Sequence, residues 1–199
     1  AQVQLALDNM KQTLTAAGMD FRNVVFVNPY LTDKASGQMN AIYAKHFEFG
    51  NTPARATIRV ASLPGGNTIE FTGVAVADLS KRLAVRPKNM QPSATASPCV
   101  FADDTYFCSA KGPFTPGPDK VQGIYAATVE SQVRQSMRNL LDGLEEAGLT
   151  FTNVVATNVY LDDIEDFPKM NRVYAQYFPE IFPTRTTVAT LPPIDRKPV

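Results

Sequence analysis

The sequence predicts an α+β fold in tandem duplicate, and three observations carry that reading. An ordered set of motifs in residues 2–64 recurs in residues 132–192, and self-similarity at a domain-sized separation marks duplicated units. Each copy opens on an apolar stripe with helical spacing. Each then passes through short β-rich runs that alternate with a second helix, the element pattern of an α+β sandwich.

The elements follow in order. The first helix carries Val3, Leu7, Met10, Leu14 and Ala17 on one face, and its counterpart carries Val133, Met137, Leu140, Leu144 and Ala147. Both sets keep the i, i+4, i+7 spacing of a single buried stripe. Gly18 and Gly148, followed by Phe21 and Phe151, end these helices in a C-cap pattern. Asn23-Val24-Val25 leads to Asn28, Tyr30 and Leu31, matched by Asn153-Val154-Val155 leading to Asn158, Tyr160 and Leu161; both read as strands. A polar turn precedes a second helix with Met39, Asn40, Tyr43 and Phe47, matched by Met170, Asn171, Tyr174 and Phe178. Pro-x-Arg-x-Thr then opens a further strand at Pro53 or Pro183, closing at Leu63-Pro64 or Leu191-Pro192.

Beyond the shared part the copies differ. The first continues into an alternating strand over 68–77, while strands over 99–102 and 105–110 and a Gly/Pro-rich turn over 112–120 precede the second. The expected organisation is a first copy at 1–78 lacking its opening strands, a linker at 79–92, and a second copy at 93–199 lacking its closing strand. That is the pattern of a fragment or of a chain whose ends are missing. The linker, with Lys81, Arg82, Arg86 and Lys88, reads as a solvated basic connector.

Composition narrows the function. The 199 residues are 44% hydrophobic and 19% charged, and 19 basic residues balance 19 acidic ones. Zero net charge argues against sequence-independent nucleic-acid binding, which draws its affinity from a basic surface. No apolar run approaches the roughly 20 residues that span a bilayer, so no membrane partner is expected. One histidine, His46, cannot build a multi-histidine metal site, and no metal is expected. Its counterpart in the second copy is Tyr177, which argues against catalysis by His46. Cys99 and Cys108 read as buried filler or free thiols in preference to a bridge. No signal-peptide pattern opens the chain, and a cytoplasmic compartment is the expectation.

These motifs together resemble the RidA/YjgF family of reactive intermediate deaminases, formerly called L-PSP endoribonucleases. The resemblance rests on the Leu-x-x-Ala-Gly helix end, the Asn-Val-Val strand and the Asn-x-x-Tyr-x-x-x-Phe helix. It rests above all on Pro53-Ala54-Arg55-Ala56-Thr57, Leu63-Pro64 and Ile69-Glu70. It implies a chorismate-mutase-like sheet with two helices on one face, trimeric assembly with ligand clefts between domains, and no cofactor. With two copies in one chain it implies self-association by pseudo-threefold domain packing. The implied activity is hydrolysis of enamines or imines such as 2-aminoacrylate to 2-oxo acids and ammonia. A non-catalytic carboxylate-binding or scaffold protein is the alternative; endoribonuclease and chorismate-hydrolysing activities follow at a distance.

The resemblance also assigns roles. Arg55 and Arg185 match the arginine that anchors the substrate carboxylate, a task suited to a guanidinium fork and not to lysine. The same residues also fit an ion pair at a domain interface. Glu70 matches the glutamate that positions or activates the attacking water, though an exposed strand carboxylate fits it equally. Asn40 and Asn171 match an asparagine near the cleft, and a local helix-start hydrogen bond is the competing account. Ser109 is what survives of a Ser-Gly-Gln strand end, as Ser109-Ala110-Lys111. Three departures stand out: residues 93–98 lack the family's tyrosine, Thr57 and Thr187 replace its cysteine, and the chain ends before any counterpart of Glu70.

Overall fold

The computed structural model describes residues 1–32, 36–88, 90–115 and 124–191. The expected turn at 112–120 lies largely outside them, as does Pro192. The described chain forms two compact units, Ala1–Ala110 with Leu191, and Lys111–Thr190.

In the first unit, helix α1 (Gln2–Ala16) ends as its sequence predicts. Gly18 takes φ +70°, the left-handed conformation glycine tolerates, and the Met19 N–H donates to Leu14 O at 2.8 Å. Asp20 then caps a short 3-10 turn at Phe21–Asn23 by accepting from Arg22 N, while Asn23 Oδ1 accepts from Asp20 N. This turn feeds the central strand β1 (Val24–Leu31). Helix α2 (Ser36–Tyr43) follows, then β2 (Ala54–Arg55), β3 (Ile58–Arg59) and β4 (Ile69–Ala75). Strands β2 and β3 pair with β1 in parallel, and β4 pairs with it antiparallel.

Side chains of β1 alternate between two faces, and a register shift between Val24 and Phe26 lets Val24 share a face with Val27, three positions on. Val24, Val27 and Leu31 join Leu7, Leu14, Met39 and Tyr43 under the helices. Val25 turns the other way and packs with Ala54 and Val100. Burying a side chain of this size contributes about 1.5–3 kcal/mol, so both faces of the sheet stabilise the unit.

The partners on that second face are β6 (Cys99–Ala102) and β7 (Thr105–Cys108), which the repeat reads as strands opening the second copy. They form an antiparallel sheet with β5 (Arg82–Val85). Strand β5 lies in the run expected to be a solvated connector. It is ordered instead because Arg82 donates to Val24 O at 3.0 Å and to Asn51 O at 2.8 Å. Cys99 and Cys108 face each other across β6 and β7, with Cα atoms 4.0 Å apart, and are joined as a disulfide. The expectation of free thiols is corrected by this register, which the two-residue turn at Asp103-Asp104 sets.

The second unit repeats the first unit's helices. It contains a short hairpin, β8 (Phe114–Thr115) with β9 (Ile124–Tyr125), then α3 (Val129–Glu146), β10 (Ala156–Leu161), α4 (Phe167–Tyr174) and β11 (Thr184–Ala189). Helix α3 ends at Gly148 with φ +71° and a Leu149-to-Leu144 hydrogen bond of 2.9 Å, as α1 does. Strands β10 and β11 pair in parallel, as β1 pairs with β2 and β3. Met137, Met170, Tyr174 and Phe178 form the core between helices and sheet. Among the described residues no helix is long and apolar enough to cross a membrane.

Candidate functional site

Strand register decides which residues meet at Arg55. Arg55 lies beside Val27 of β1, on the helix-covered face, so its side chain rises toward α2. Asn40 and Tyr43 are one helical turn apart on α2 and share the facing side. Arg55 Nη1 donates to Asn40 Oδ1 at 2.8 Å and approaches Met39 Sδ at 3.8 Å. Its guanidinium carbon sits 5.0 Å from the Tyr43 ring centroid, within cation–π range. The Arg55 backbone is fixed as well: its N–H donates to Ser109 Oγ at 2.8 Å, and its carbonyl accepts from Ala110 N at 3.1 Å.

Burial pushes the Arg55 guanidinium below its ordinary pKa, and the Tyr43 phenol opposes that shift. Arginine nonetheless stays charged throughout the physiological range. Among the described residues no carboxylate pairs with it, and most of its N–H donors remain uncommitted. A half-buried cation with spare donors attracts a small anion, because the desolvation already imposed on it is offset when an anion binds.

The second unit repeats this arrangement. Arg185 lies beside Thr157 on β11, with its guanidinium carbon 4.6 Å from the Tyr174 ring centroid and 5.3 Å from that of Phe167. It lines a cavity of about 410 Å³ with Asn171, Tyr174, Ala175, Phe182 and Pro183. Among the described residues Arg185 makes neither an ion pair nor a hydrogen bond, so its whole fork is available.

Other candidates are placed differently. Glu70 pairs with Tyr30 on the far side of β1, three positions along from Val27. Side chains alternate along a strand, so Glu70 faces away from Arg55, and the unit does not bring the two together. The Ser109 hydroxyl is engaged twice, accepting from Arg55 N and donating to Ser97 O at 2.6 Å. It therefore holds the arginine's backbone. His46 packs on Phe21 at 5.0 Å between ring centroids and meets Gln4. Burial lowers its pKa, with Asp8 opposing.

Tyr43 and Tyr174 are core residues, as their helical spacing predicts, but each also forms the floor beneath its arginine. The signal was the Asn-x-x-Tyr spacing, which sets amide and ring on one helical face. The two floors differ in one respect. Tyr174 Oη hydrogen-bonds Thr157 Oγ1 at 2.8 Å, whereas the counterpart of Thr157 is Val27, and Tyr43 Oη is buried without a partner. Burial drives the Tyr43 phenol far above its ordinary pKa, against the fields of Arg55 and Arg82. An unmet buried hydroxyl costs about 1–3 kcal/mol, so Tyr43→Phe should leave stability unchanged or raise it. Tyr174→Phe should lower it by about 1 kcal/mol, as loss of a made hydrogen bond does. Urea unfolding of the two variants checks this, and equal losses would contradict it.

Fold and site define a duplicated α+β protein with one arginine set over an aromatic ring in each copy. The family model described as Endoribonuclease L-PSP matches residues 1–77 and 87–193. The chain belongs to this L-PSP family, which is the RidA/YjgF family, and carries two segments of it. Protein DfrA of Myxococcus xanthus is 39% identical over 77 residues, 38% of this chain and 58% of that protein. The human 2-iminobutanoate/2-iminopropanoate deaminase is 37% identical over 98 residues, 48% of this chain and 69% of that protein. The crystal structure of Escherichia coli TdcF with bound serine is 26% identical, covering 54% of this chain and 82% of that one, with a TM-score of 0.44.

Proposed function

We propose that the protein is a hydrolytic deaminase of reactive enamines and imines of the 2-aminoacrylate type, yielding 2-oxo acids and ammonia. The observation that carries this reading is the pair of half-buried arginines, Arg55 and Arg185, neither joined to a carboxylate among the described residues. Each guanidinium would hold the substrate carboxylate through two parallel hydrogen bonds, over the ring of Tyr43 or Tyr174. Asn40 and Asn171 would fix the angle of approach. Water then adds to the imine carbon, and collapse of the carbinolamine expels ammonia as the carbonyl forms. The reaction is a hydrolysis, with no net oxidation or reduction, so it needs no redox cofactor.

Glu70 is proposed as the group that moves protons on the attacking water and leaving nitrogen. It faces away from Arg55, so this role requires a cleft completed by a neighbouring domain. Self-association with pseudo-threefold packing would provide one. The second unit supports that packing: Val155 is 76% exposed, while its counterpart Val25 is fully buried beneath β6 and β7. A monomer in sedimentation at micromolar concentration would contradict it. The alternative, a carboxylate-binding protein without turnover, draws support from the separation of Glu70 and Arg55 within the unit.

The decisive assay generates 2-aminoacrylate in situ and follows ammonia and pyruvate, beside a parallel incubation with single-stranded RNA. The expected result is accelerated ammonia release and intact RNA. Ammonia at the uncatalysed rate favours the binding protein, and RNA cleavage favours the endoribonuclease.

A further inference from the structure

Among the described residues β7 is paired on one side only, with β6, yet the residues that follow it support Arg55. Just past Cys108, Ser109 Oγ accepts from Arg55 N at 2.8 Å, and Ala110 N donates to Arg55 O at 3.1 Å. Just before Cys99, Ser97 O accepts from Ser109 Oγ at 2.6 Å, and Pro98 O accepts from Ser109 N at 2.9 Å. The Cys99–Cys108 disulfide joins the two strands at this end of the hairpin, away from the turn at Asp103-Asp104. Strand ends open before strand centres do, so a covalent bond placed there holds the grip on both backbone groups of Arg55. Cys99 is fully buried and Cys108 half-buried, so an incoming thiolate reaches the bridge at the Cys108 sulfur. The second unit has no cysteine, and Arg185 has no such pin.

We propose that Cys99 and Cys108 are positioning residues that form a redox switch for anion binding at Arg55. This rests on the carboxylate-anchor reading above and adds a control to it. Oxidised, the bridge keeps Ser109 and Ala110 against β2, and the Arg55 fork is set for a carboxylate. A dithiol reduces it in two exchanges. One dithiol sulfur, as thiolate, attacks Cys108 Sγ and expels the Cys99 thiolate, which takes up a proton. The other dithiol sulfur then displaces Cys108 from the mixed disulfide, leaving two protein thiols and the cyclic disulfide of the reductant. The hairpin end then opens more often, Arg55 loses its fixed backbone partners, and Arg185 is unaffected.

The test titrates pyruvate, a stable 2-oxo acid, into the full chain by NMR, air-oxidised and after dithiothreitol. Amide hydrogen exchange of Arg55 and Arg185 and the melting temperature are recorded in each state. Cys99→Ala/Cys108→Ala is measured with and without dithiothreitol. Reduction is expected to weaken pyruvate binding at Arg55 roughly tenfold, the equivalent of one bond of the fork. It should speed exchange of the Arg55 amide and leave the Arg185 site unchanged, and the variant should behave as the reduced protein and ignore the reductant. Equal affinity and exchange at Arg55 in both states, or equal weakening at Arg185, overturns the proposal. So do free thiols in the air-oxidised protein. Unfolding of the first unit on reduction and in the variant overturns it too, since the bridge is then structural. Absence of pyruvate binding by the oxidised protein overturns the arginine reading and the switch with it. Exchange of the Arg55 amide separates that failure from failure of the bridge to hold Ser109.

Discussion

Arg55→Lys is expected to reduce turnover of a carboxylate-bearing imine by about ten- to a hundredfold. The loss follows from geometry, because lysine keeps the charge but cannot present two parallel donors to one carboxylate. One charge-assisted hydrogen bond is worth roughly 1.5–3 kcal/mol, which sets the size of the effect. Stability should change little, since Arg55 forms no ion pair among the described residues and lysine keeps a cation over the Tyr43 ring. An interfacial ion pair would behave oppositely, lowering the melting temperature and affecting all substrates alike. An ester or amide of the substrate should be poor for the wild type and little worse for the variant. The two copies should also be unequal: Arg55→Ala should cost more activity than Arg185→Ala, because Asn40 already orients Arg55 at 2.8 Å whereas Arg185 makes no hydrogen bond among the described residues. Equal losses would mean that each cleft draws on both copies.

Ser109→Ala is expected to destabilise the first unit by about 2–4 kcal/mol. The hydroxyl accepts from Arg55 N at 2.8 Å and donates to Ser97 O at 2.6 Å, and Ser109 is buried. Alanine leaves a backbone donor and a backbone acceptor buried together without partners, and each costs about 1–3 kcal/mol. Because Arg55 N is one of the two, pyruvate binding should weaken as well. Ser109→Thr keeps the hydroxyl and should retain most of both properties. Urea unfolding gives the first quantity, and a loss below about 0.5 kcal/mol would show that the staple is not needed.

Several of these features were legible in the sequence because they are local. The apolar stripes on α1 and α3 and the glycine ends at Gly18 and Gly148 depend on residues within a few positions of each other, and the repeat displayed each of them twice. The Arg-x-Thr and Asn-x-x-Tyr motifs carried the composition of the arginine sites for the same reason. What stayed hidden depends on pairing between distant segments. Strand β5 is four residues long in a basic run, and it is held by Arg82 reaching Val24 and Asn51, which no local pattern reveals. The disulfide depends on hairpin register: Cys99 meets Cys108 only because the turn at Asp103-Asp104 spans two residues. The orientation of Glu70 depends on its register with Tyr30, and hence on which face of the sheet the helices cover. Ser109 read as a ligand contact because its motif survives there, but its hydroxyl is spent on the Arg55 backbone.

Arg55 and Arg185 are proposed to hold a substrate carboxylate while its imine is hydrolysed. The most direct measurement is ammonia release from 2-aminoacrylate by the wild type and by Arg55→Ala/Arg185→Ala at equal concentration, with folding of both verified by circular dichroism. Release well above the uncatalysed rate is expected from the wild type, and a return to that rate from the folded double variant. A folded double variant as active as the wild type would contradict it.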